Sequence, residues 1–268
     1  MTTSTSYETI SLSQADHVST ITLDRPDVLN AFNDAFSGEM LDALRTCERD
    51  ASTRVIIITG AGRAFSSGQD LGDLKAKYVP GHVPELGDDL RRRYDPMIKK
   101  IRGLRTPVIA SVNGVAAGAG CSLALACDLR IVSEHATFIE VFVNVGLVPD
   151  SASTWTLPRL VGWGRAMEMC LTGRPVKAEE ALAIGLVNQV VAADDLAEAT
   201  RAVAQRLAAL PGKALALTKK LLNESYGRTL EDQLEAEAFA QDTAGRTSDH
   251  FEGVTAFLEK RTPEFTGR

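Results

Sequence analysis

The sequence has few of the residues that build disulfide frameworks and metal centres. Its 268 residues include only four cysteines and four histidines. The cysteines are scattered without a CxxC pair, and the histidines do not recur at the spacing of metal ligands. These absences argue against a zinc module or a disulfide-stapled secreted domain, and we expect a reduced, cytoplasmic enzyme without a metal.

Long apolar runs and dense positive charge are also missing. No apolar run approaches the roughly 20 residues of a membrane-spanning helix, and the first residues lack the basic region and apolar core of a secretory signal. The formal net charge is −6, and the one dense basic cluster combines residues 91–93 (RRR) with Lys99 and Lys100. A nucleic-acid-binding protein carries a broader basic face. We therefore expect no membrane or nucleic-acid partner, and we interpret the cluster as a solvated helix face.

Strand-like and helix-like segments alternate along the first half of the chain. Apolar patterns predict strands at 17–23, 54–59, 107–112 and 128–132, and helical periodicity predicts helices at 34–50, 90–101 and 118–126. This alternation predicts an α/β fold. Beyond about residue 195 the periodicity is helical only, which predicts a core over 1–195 and a helical region over 196–268. In that region Leu234, Ala238 and Phe239 are apolar positions that we expect to pack on a neighbouring subunit.

The segment 113–122 (NGVAAGAGCS) is a turn of small residues that connects a predicted strand to an apolar helix. At the start of a helix the first N–H groups have no partner inside the helix and lie at the positive end of its dipole. A ligand oxygen could therefore be bound by main chain here, although tight packing between helix and strand is the alternative. Leu123 stands where the third glycine of a dinucleotide fingerprint belongs, which argues against a dehydrogenase.

Two further segments carry candidate chemistry. Residues 64–71 (AFSSGQDL) follow a predicted strand, where open α/β sheets bind ligands; the alternative is an ordinary turn with Asp70 as a helix cap. This segment is not the nucleophile elbow of serine hydrolases, because Ala64 and Phe65 occupy its glycine positions. In 146–151 (GLVPDS), Asp150 has apolar neighbours. It could cap a helix or transfer protons with a pKa raised by desolvation.

Taken together, these segments resemble the crotonase, or enoyl-CoA hydratase/isomerase, superfamily over essentially the whole chain. Further motifs of the same order and spacing are 23–26 (LDRP), 29–32 (LNAF), 158–162 (PRLVG), 171–173 (LTG) and 181–187 (ALAIGLV). The resemblance implies an α/β crotonase (ClpP-like) fold, in which ββα units repeat in a right-handed spiral and a helical C-terminal region follows. It also implies a homotrimer or a dimer of trimers.

The resemblance implies that the peptide N–H groups of Gln69 and Ala119 bind the thioester oxygen of an acyl-CoA. Such donors stabilise an enolate oxygen more than the ground-state carbonyl. No cofactor is expected, because coenzyme A enters as part of the substrate. By the same resemblance, substrate and CoA contacts are expected at Arg25, Ala64, Ser66, Asp70, Leu71, Gly118, Ser122 and Phe142, and at Phe257 and Lys260 for the CoA of a neighbouring subunit. Phe142 and Trp155 could face an aromatic acyl group or belong to the core.

The catalytic carboxylates distinguish two reactions within this superfamily. Hydratases place two glutamates at the positions of Ser122 and Phe142, neither of which is an acid or base at neutral pH. Asp150 occupies the position of the aspartate in several isomerases. The motifs at 68–71, 113–120 and 146–150 and the tail 252–261 resemble the bacterial ring-1,2-epoxyphenylacetyl-CoA isomerases of phenylacetate degradation. That narrower resemblance implies isomerisation of the epoxide to an oxepin-CoA, often with Δ3,Δ2-enoyl-CoA isomerase activity, by Asp150.

Two alternatives follow from the same residues. An enoyl-CoA hydratase could use a displaced acid such as Glu140, which lies two residues from the hydratase position. A non-catalytic member of the fold could bind acyl-CoA or associate with RNA. Asp150 beside an intact set of backbone donors argues against passive acyl-CoA binding, and the acidic charge balance argues against RNA.

Overall fold

Two β-sheets form the framework of the protein. The computed structural model describes residues 3–70, 72, 75 and 85–267, so the predicted contact at Leu71 lies outside the described residues. The larger sheet contains, in spatial order, β1 (Thr3–Ser6), β2 (Ile10–Ala15), β3 (Val18–Leu23), β4 (Val55–Gly60), β6 (Val108–Val112), β8 (Leu129–Ser133) and β11 (Gln189–Val191). The smaller sheet contains β10 (Val176–Lys177), β9 (Thr137–Ile139), β7 (Val115–Ala117) and β5 (Ala64–Ser66).

From β4 to β9 the chain alternates between the two sheets. β4, β6 and β8 pair in parallel in the larger sheet, while β5, β7 and β9 pair in parallel in the smaller one. The apolar strand β6 is buried along its whole length, as expected of a parallel strand covered on both faces. Each turn of the spiral thus adds one strand to each sheet before the next helix begins. The predicted α/β class with repeated ββα units is confirmed.

The helices predicted at 34–50 and 118–126 are observed at Asp34–Arg49 and Ala119–Ala126, and the stretch predicted at 90–101 is helical over residues 86–103. Asn33 caps the first of them by accepting a hydrogen bond from the N–H of Phe36. The helices are α1 (Asp34–Arg49), α2 (Leu86–Asp89), α3 (Asp95–Gly103), α4 (Ala119–Ala126), α5 (Ser153–Val161), α6 (Trp163–Thr172), α7 (Ala178–Ala183), α8 (Leu196–Ala208), α9 (Gly212–Ser225), α10 (Leu230–Gly245) and α11 (Ser248–Glu259). A π-helical turn, Leu90–Tyr94, joins α2 to α3. Among the described residues, no helix combines the length and apolarity that crossing a membrane requires.

The core lies on both sides of the larger sheet. On one side α4 is buried along all eight residues, which explains its composition of leucine and small residues such as alanine, glycine, serine and cysteine. On the other side Leu196, Ala204 and Ala208 of α8 pack against Val55 and Ile109 of the sheet. The first helix of the predicted 196–268 region therefore shares a core with the sheet. In α10 the side chains of Leu234 and Phe239 are exposed, and their contact with a neighbouring subunit stays a prediction.

Candidate active site

A cavity of about 570 Å³ opens where the strands of the smaller sheet end. Because β5, β7 and β9 are parallel, the residues that follow them meet at one edge of the sheet. Five predicted site residues line this cavity: Gln69, Gly118, Ala119, Phe142 and Asp150. Most of the other lining side chains are apolar, among them Leu86, Leu90, Val141, Val145, Leu147, Val148 and Pro149. The volume and the apolar lining suit a small acyl group.

Two backbone N–H groups at this cavity are available to a ligand. Residues 68–70 pair with Phe32, which donates to the Gly68 carbonyl at 2.7 Å and accepts from the Asp70 N–H at 3.0 Å. The N–H of Gln69 therefore points away from this pairing. Ala119 is the first residue of α4, so its N–H has no partner within the helix. Within the described parts of the chain, neither N–H has a hydrogen-bond acceptor.

Glycine at position 68 allows the two segments to approach each other. Gly68 has a φ of +88°, a conformation that other residues rarely adopt. A Cβ atom there would lie 2.6 Å from the carbonyl oxygen of Ala117 and 3.1 Å from the nitrogen of Ala119. Any side chain at this position would push apart the segments that carry the two N–H groups.

Asp150 brings a carboxylate to the same cavity. Burial raises its pKa to about 6, against the effect of a hydrogen bond of 2.8 Å from Ser151 Oγ; the charge of Asp95 raises the pKa further. Ala152, not Asp150, is the N-cap of α5, and no side chain caps this helix. The structure thus contradicts the capping interpretation of Asp150. A half-buried carboxylate with a pKa near neutrality is suited to proton transfer.

Ser122 and Phe142 contribute no acid to the site, as predicted. The Ser122 side chain is buried, and its Oγ donates to the carbonyl oxygens of Gly118 at 3.2 Å and Asp150 at 3.1 Å. It therefore ties the start of α4 to the loop that carries Asp150 and does not line the cavity. Phe142 is buried and presents an apolar surface to the cavity.

Glu140, the displaced acid of the hydratase alternative, is sealed in the interior. The residue is 0% exposed and is not among the residues that line the cavity. Its Oε2 accepts a hydrogen bond of 3.1 Å from Ser153, whereas Oε1 has no partner among the described residues. Burial raises the pKa of Glu140 to about 7. Hydrogen bonding to the side chains of Cys121 and Ser153 acts to lower this pKa, and the charge of Asp150 acts to raise it. A substrate in the cavity has no direct contact with this carboxyl group.

We expect Glu140 to lower the free energy of unfolding as the pH rises. Its pKa in the folded state, about 7, exceeds the ordinary value of 4.5. The folded state therefore binds this proton more tightly than the unfolded state does, and the stability that this binding contributes is lost as the pH rises from about 4.5 to about 7. Glu140→Gln should be more stabilising at pH 8 than at pH 5, by about 2–3 kcal/mol. Urea unfolding at both pH values measures this, with the exposed Glu235→Gln as the control. An equal effect at both pH values would show that the carboxyl group is ionised throughout.

Several groups that were predicted to contact CoA form hydrogen bonds within the protein. Arg25 Nη1 donates to the carbonyl oxygen of Ala31 at 2.6 Å and to Asp70 Oδ2 at 2.9 Å. The side chain of Asn30 donates to the carbonyl oxygen of Ala64 at 2.8 Å. Ser66 is buried and its Oγ donates to the carbonyl oxygen of Asn30 at 2.8 Å. These polar groups hold the loop that carries Gln69, and their contacts with CoA stay predictions.

The two C-terminal candidates, Phe257 and Lys260, do not line this cavity. Phe257 is 82% exposed and lines a different cavity beside α11. Lys260 follows α11 as its left-handed C-cap. Their predicted partner is the CoA of a neighbouring subunit, so for both residues the contact stays a prediction.

The basic cluster and Trp155 differ from expectation. Arg91 and Arg92 are exposed, as predicted, but the prediction for Arg93 is wrong: its side chain is 13% exposed, lines the cavity and pairs with Asp34 at 2.7 Å. The π-helical turn adds a residue to this helical stretch and so changes which side chains face inward.

Trp155 does not line the cavity. Its ring stacks on the guanidinium group of Arg159 at 3.9 Å.

Comparison with known proteins agrees with this geometry. The family model described as enoyl-CoA hydratase/isomerase matches residues 13–268. The chain belongs to the enoyl-CoA hydratase/isomerase family. A 1,2-epoxyphenylacetyl-CoA isomerase of Escherichia coli (strain K12) is 43% identical over 251 residues, which cover 94% of this chain and 95% of that protein. A protein of Rhodobacter capsulatus named as a probable enoyl-CoA hydratase is 44% identical, with coverage of 98% and 100%.

A solved structure of a family member confirms the predicted crotonase fold. The enoyl-CoA hydratase of Bacillus anthracis superposes with a TM-score of 0.91 at 35% identity, covering 97% of this chain and 100% of that one. The relatives of this enoyl-CoA hydratase/isomerase family member thus carry both activities in their names, at similar identity. Sequence similarity alone therefore does not choose between isomerase and hydratase.

Proposed function

We propose that the protein is an acyl-CoA isomerase that acts on 1,2-epoxyphenylacetyl-CoA, on β,γ-enoyl-CoA, or on both. One observation carries the proposal: a single cavity holds the carboxylate of Asp150 and the two N–H groups of Gln69 and Ala119. The named activity of the Escherichia coli relative supports it. The positions at which hydratases keep two glutamates hold Ser122 and Phe142, which supports an isomerase further.

In this mechanism one base is sufficient. The N–H groups of Gln69 and Ala119 bind the thioester oxygen, which gains negative charge as Asp150 removes a proton from the adjacent carbon. Donors already aimed at that oxygen stabilise the enolate without reorganisation. For a β,γ-enoyl-CoA, Asp150 then returns the proton to the γ-carbon, and the double bond moves into conjugation with the thioester. Hydration differs, because a water molecule must be activated as well.

Parallel assays of isomerisation and hydration test this proposal. The purified protein is given a β,γ-enoyl-CoA, 1,2-epoxyphenylacetyl-CoA and crotonyl-CoA in separate reactions. We expect turnover of at least one of the first two and little addition of water to crotonyl-CoA. Rapid hydration without isomerisation would contradict the proposal and support the hydratase alternative, which the name of the Rhodobacter capsulatus relative favours.

The pH dependence of kcat/KM should follow the ionisation of Asp150. The base must be deprotonated to accept a proton, and its pKa is about 6. Activity should therefore fall as the pH decreases through about 6, with kcat/KM losing about tenfold per pH unit below that value. A pH–rate profile of wild type measures this. The Glu140→Gln variant should keep the same acid limb, whereas a limb near pH 7 that this variant removes would assign the titration to Glu140.

The proposal includes an oligomer, either a homotrimer or a dimer of trimers. Exposed apolar side chains on α10 and α11 support it, since Phe239, Phe251, Phe257 and Leu258 are each more than 70% exposed. Burying such side chains against a second subunit removes apolar surface from water. The mass of the purified protein in solution, measured by light scattering, tests this.

A further inference from the structure

Tyr94 carries a polar group in the cavity that the proposed mechanism does not use. It is the last residue of the π-helical turn, is 4% exposed and lines the same cavity as Gln69 and Asp150. Its hydroxyl donates a hydrogen bond to Oε1 of the Gln69 side chain. The ring lies 6.4 Å from the ring of Phe32, and the Arg93 guanidinium lies over it at 5.5 Å. The hydroxyl is therefore held in place by packing on its ring.

The hydroxyl lies close to the backbone that receives the thioester. Gln69 contributes its N–H to the thioester oxygen in the proposed function, and its side chain reaches Tyr94. A glutamine side chain extends roughly 5 Å from Cα, from ordinary bond lengths. The Tyr94 hydroxyl thus lies no farther from the Gln69 Cα than one side-chain length plus one hydrogen bond. The atoms of an acyl group nearest the thioester carbonyl would lie within the same distance range.

The chemistry of this hydroxyl makes it a hydrogen-bond donor. Burial raises the pKa of Tyr94, Arg93 lowers it, and the charge of Asp150 raises it; the net shift is upward, so the phenol stays protonated at neutral pH. Its O–H can rotate from Gln69 to another acceptor. In a cavity lined mainly by apolar side chains, an oxygen on a ligand loses its hydration and needs such a donor.

We propose that Tyr94 determines specificity by donating a hydrogen bond to an oxygen carried on the acyl group close to the thioester. This inference rests on the proposed function to the extent that the Gln69 N–H binds the thioester. An ether, epoxide or hydroxyl oxygen of the acyl group replaces Gln69 as the acceptor of the hydrogen bond from Tyr94. A hydrocarbon acyl group leaves the hydrogen bond between Tyr94 and Gln69 intact and gains no contact from it. The cavity therefore favours oxygen-bearing acyl groups.

Binding of two unreactive thioesters of equal shape tests this directly. Phenoxyacetyl-CoA carries an ether oxygen where 3-phenylpropanoyl-CoA carries a methylene group. Calorimetry gives the ratio of their Kd values for wild type, for Tyr94→Phe and for the control Tyr226→Phe, which alters an exposed tyrosine outside the cavity. We expect Tyr94→Phe to reduce the preference for the ether by about three- to tenfold, the usual worth of one hydrogen bond. Tyr226→Phe should keep the wild-type ratio.

An unchanged ratio in Tyr94→Phe would overturn the inference. Since phenylalanine keeps the ring that packs on Phe32, loss of folding is not expected, and thermal unfolding checks this. Turnover adds a second criterion: kcat/KM should fall more for 1,2-epoxyphenylacetyl-CoA than for a β,γ-enoyl-CoA. An equal fall for both would show that Tyr94 only positions Gln69 and would overturn the inference. If wild type isomerises neither substrate, the proposed function fails, while the binding ratio still decides the role of Tyr94.

Discussion

Replacement of Asp150 by asparagine should nearly abolish isomerase turnover and leave acyl-CoA binding close to wild type. Asparagine keeps the shape of the side chain and can still accept the hydrogen bond from Ser151, but it cannot take up a proton. General acid–base groups contribute about 10²–10⁴-fold to rate, and we expect a loss of about 10³-fold in kcat. The measurement is kcat with the preferred substrate, together with calorimetric affinity for an unreactive acyl-CoA.

Asp89 provides the matched comparison, because it is a second carboxylate that lines the cavity. It pairs at 3.4 Å with Arg92, whose side chain is exposed. Asp89→Asn should therefore reduce turnover far less than Asp150→Asn. A larger loss in Asp89→Asn, or a rate near wild type in Asp150→Asn, would show that Asp150 is not the base. Desolvating the Asp150 charge is unfavourable, so Asp150→Asn should unfold at the same temperature or slightly higher.

The second large effect is expected from removing one backbone donor. Ala119 is the first residue of α4, and proline is tolerated at the first position of a helix because its missing N–H has no helical partner there. Ala119→Pro should therefore fold while it lacks the N–H that stabilises the enolate oxygen. Loss of one such donor typically reduces kcat by about 10²–10³-fold. Steady-state kinetics and circular dichroism of the same preparation measure rate and fold.

A proline at the start of another helix separates the effect on catalysis from that on folding. Ala178 is the first residue of α7, follows an extended residue, and does not line the cavity. Ala178→Pro should keep the rate of wild type, apart from any loss of folded protein. A similar fall in kcat for both proline variants would indicate damage to the fold. Retention of rate in Ala119→Pro would remove Ala119 from the proposed mechanism.

Several regular elements, although not the short strands of the smaller sheet, could be predicted because local patterns dominate them. The apolar run at 54–59 became β4, and the helical periodicity at 34–50 became α1, each within a residue of the expected ends. The small residues at 113–122 place Gly118 and Ala119 at the cavity, as expected, but Val115–Ala117 forms strand β7 where only a turn was predicted. In each case neighbours along the chain supply the constraint, whether by periodicity, capping or glycine conformation.

Other features depend on residues that are distant in sequence. Arg93 turns inward where helical periodicity and its charged neighbours indicated solvent, because a π-helical turn interrupts the helix. Trp155 stacks on Arg159 and Arg102, whereas the sequence offered a place in the core or a contact with the acyl group. Whether Asp150 caps a helix was open in the sequence and was decided by the backbone of α5, which starts at Ser153.

By itself, the sequence determined the family and the α/β fold of ββα units, because several short motifs occur in one order and each depends on local spacing. It also indicated that backbone N–H groups bind an oxygen of the ligand and that a carboxylate transfers a proton. Only the tertiary structure decided that Glu140 is sealed from the cavity while Asp150 lines it, and that Tyr94 and Arg93 join it. Whether a side chain is buried or faces the cavity depends on how the ends of three parallel strands pack with α2 and the π-helical turn. The spacing of residues along the chain does not specify that packing.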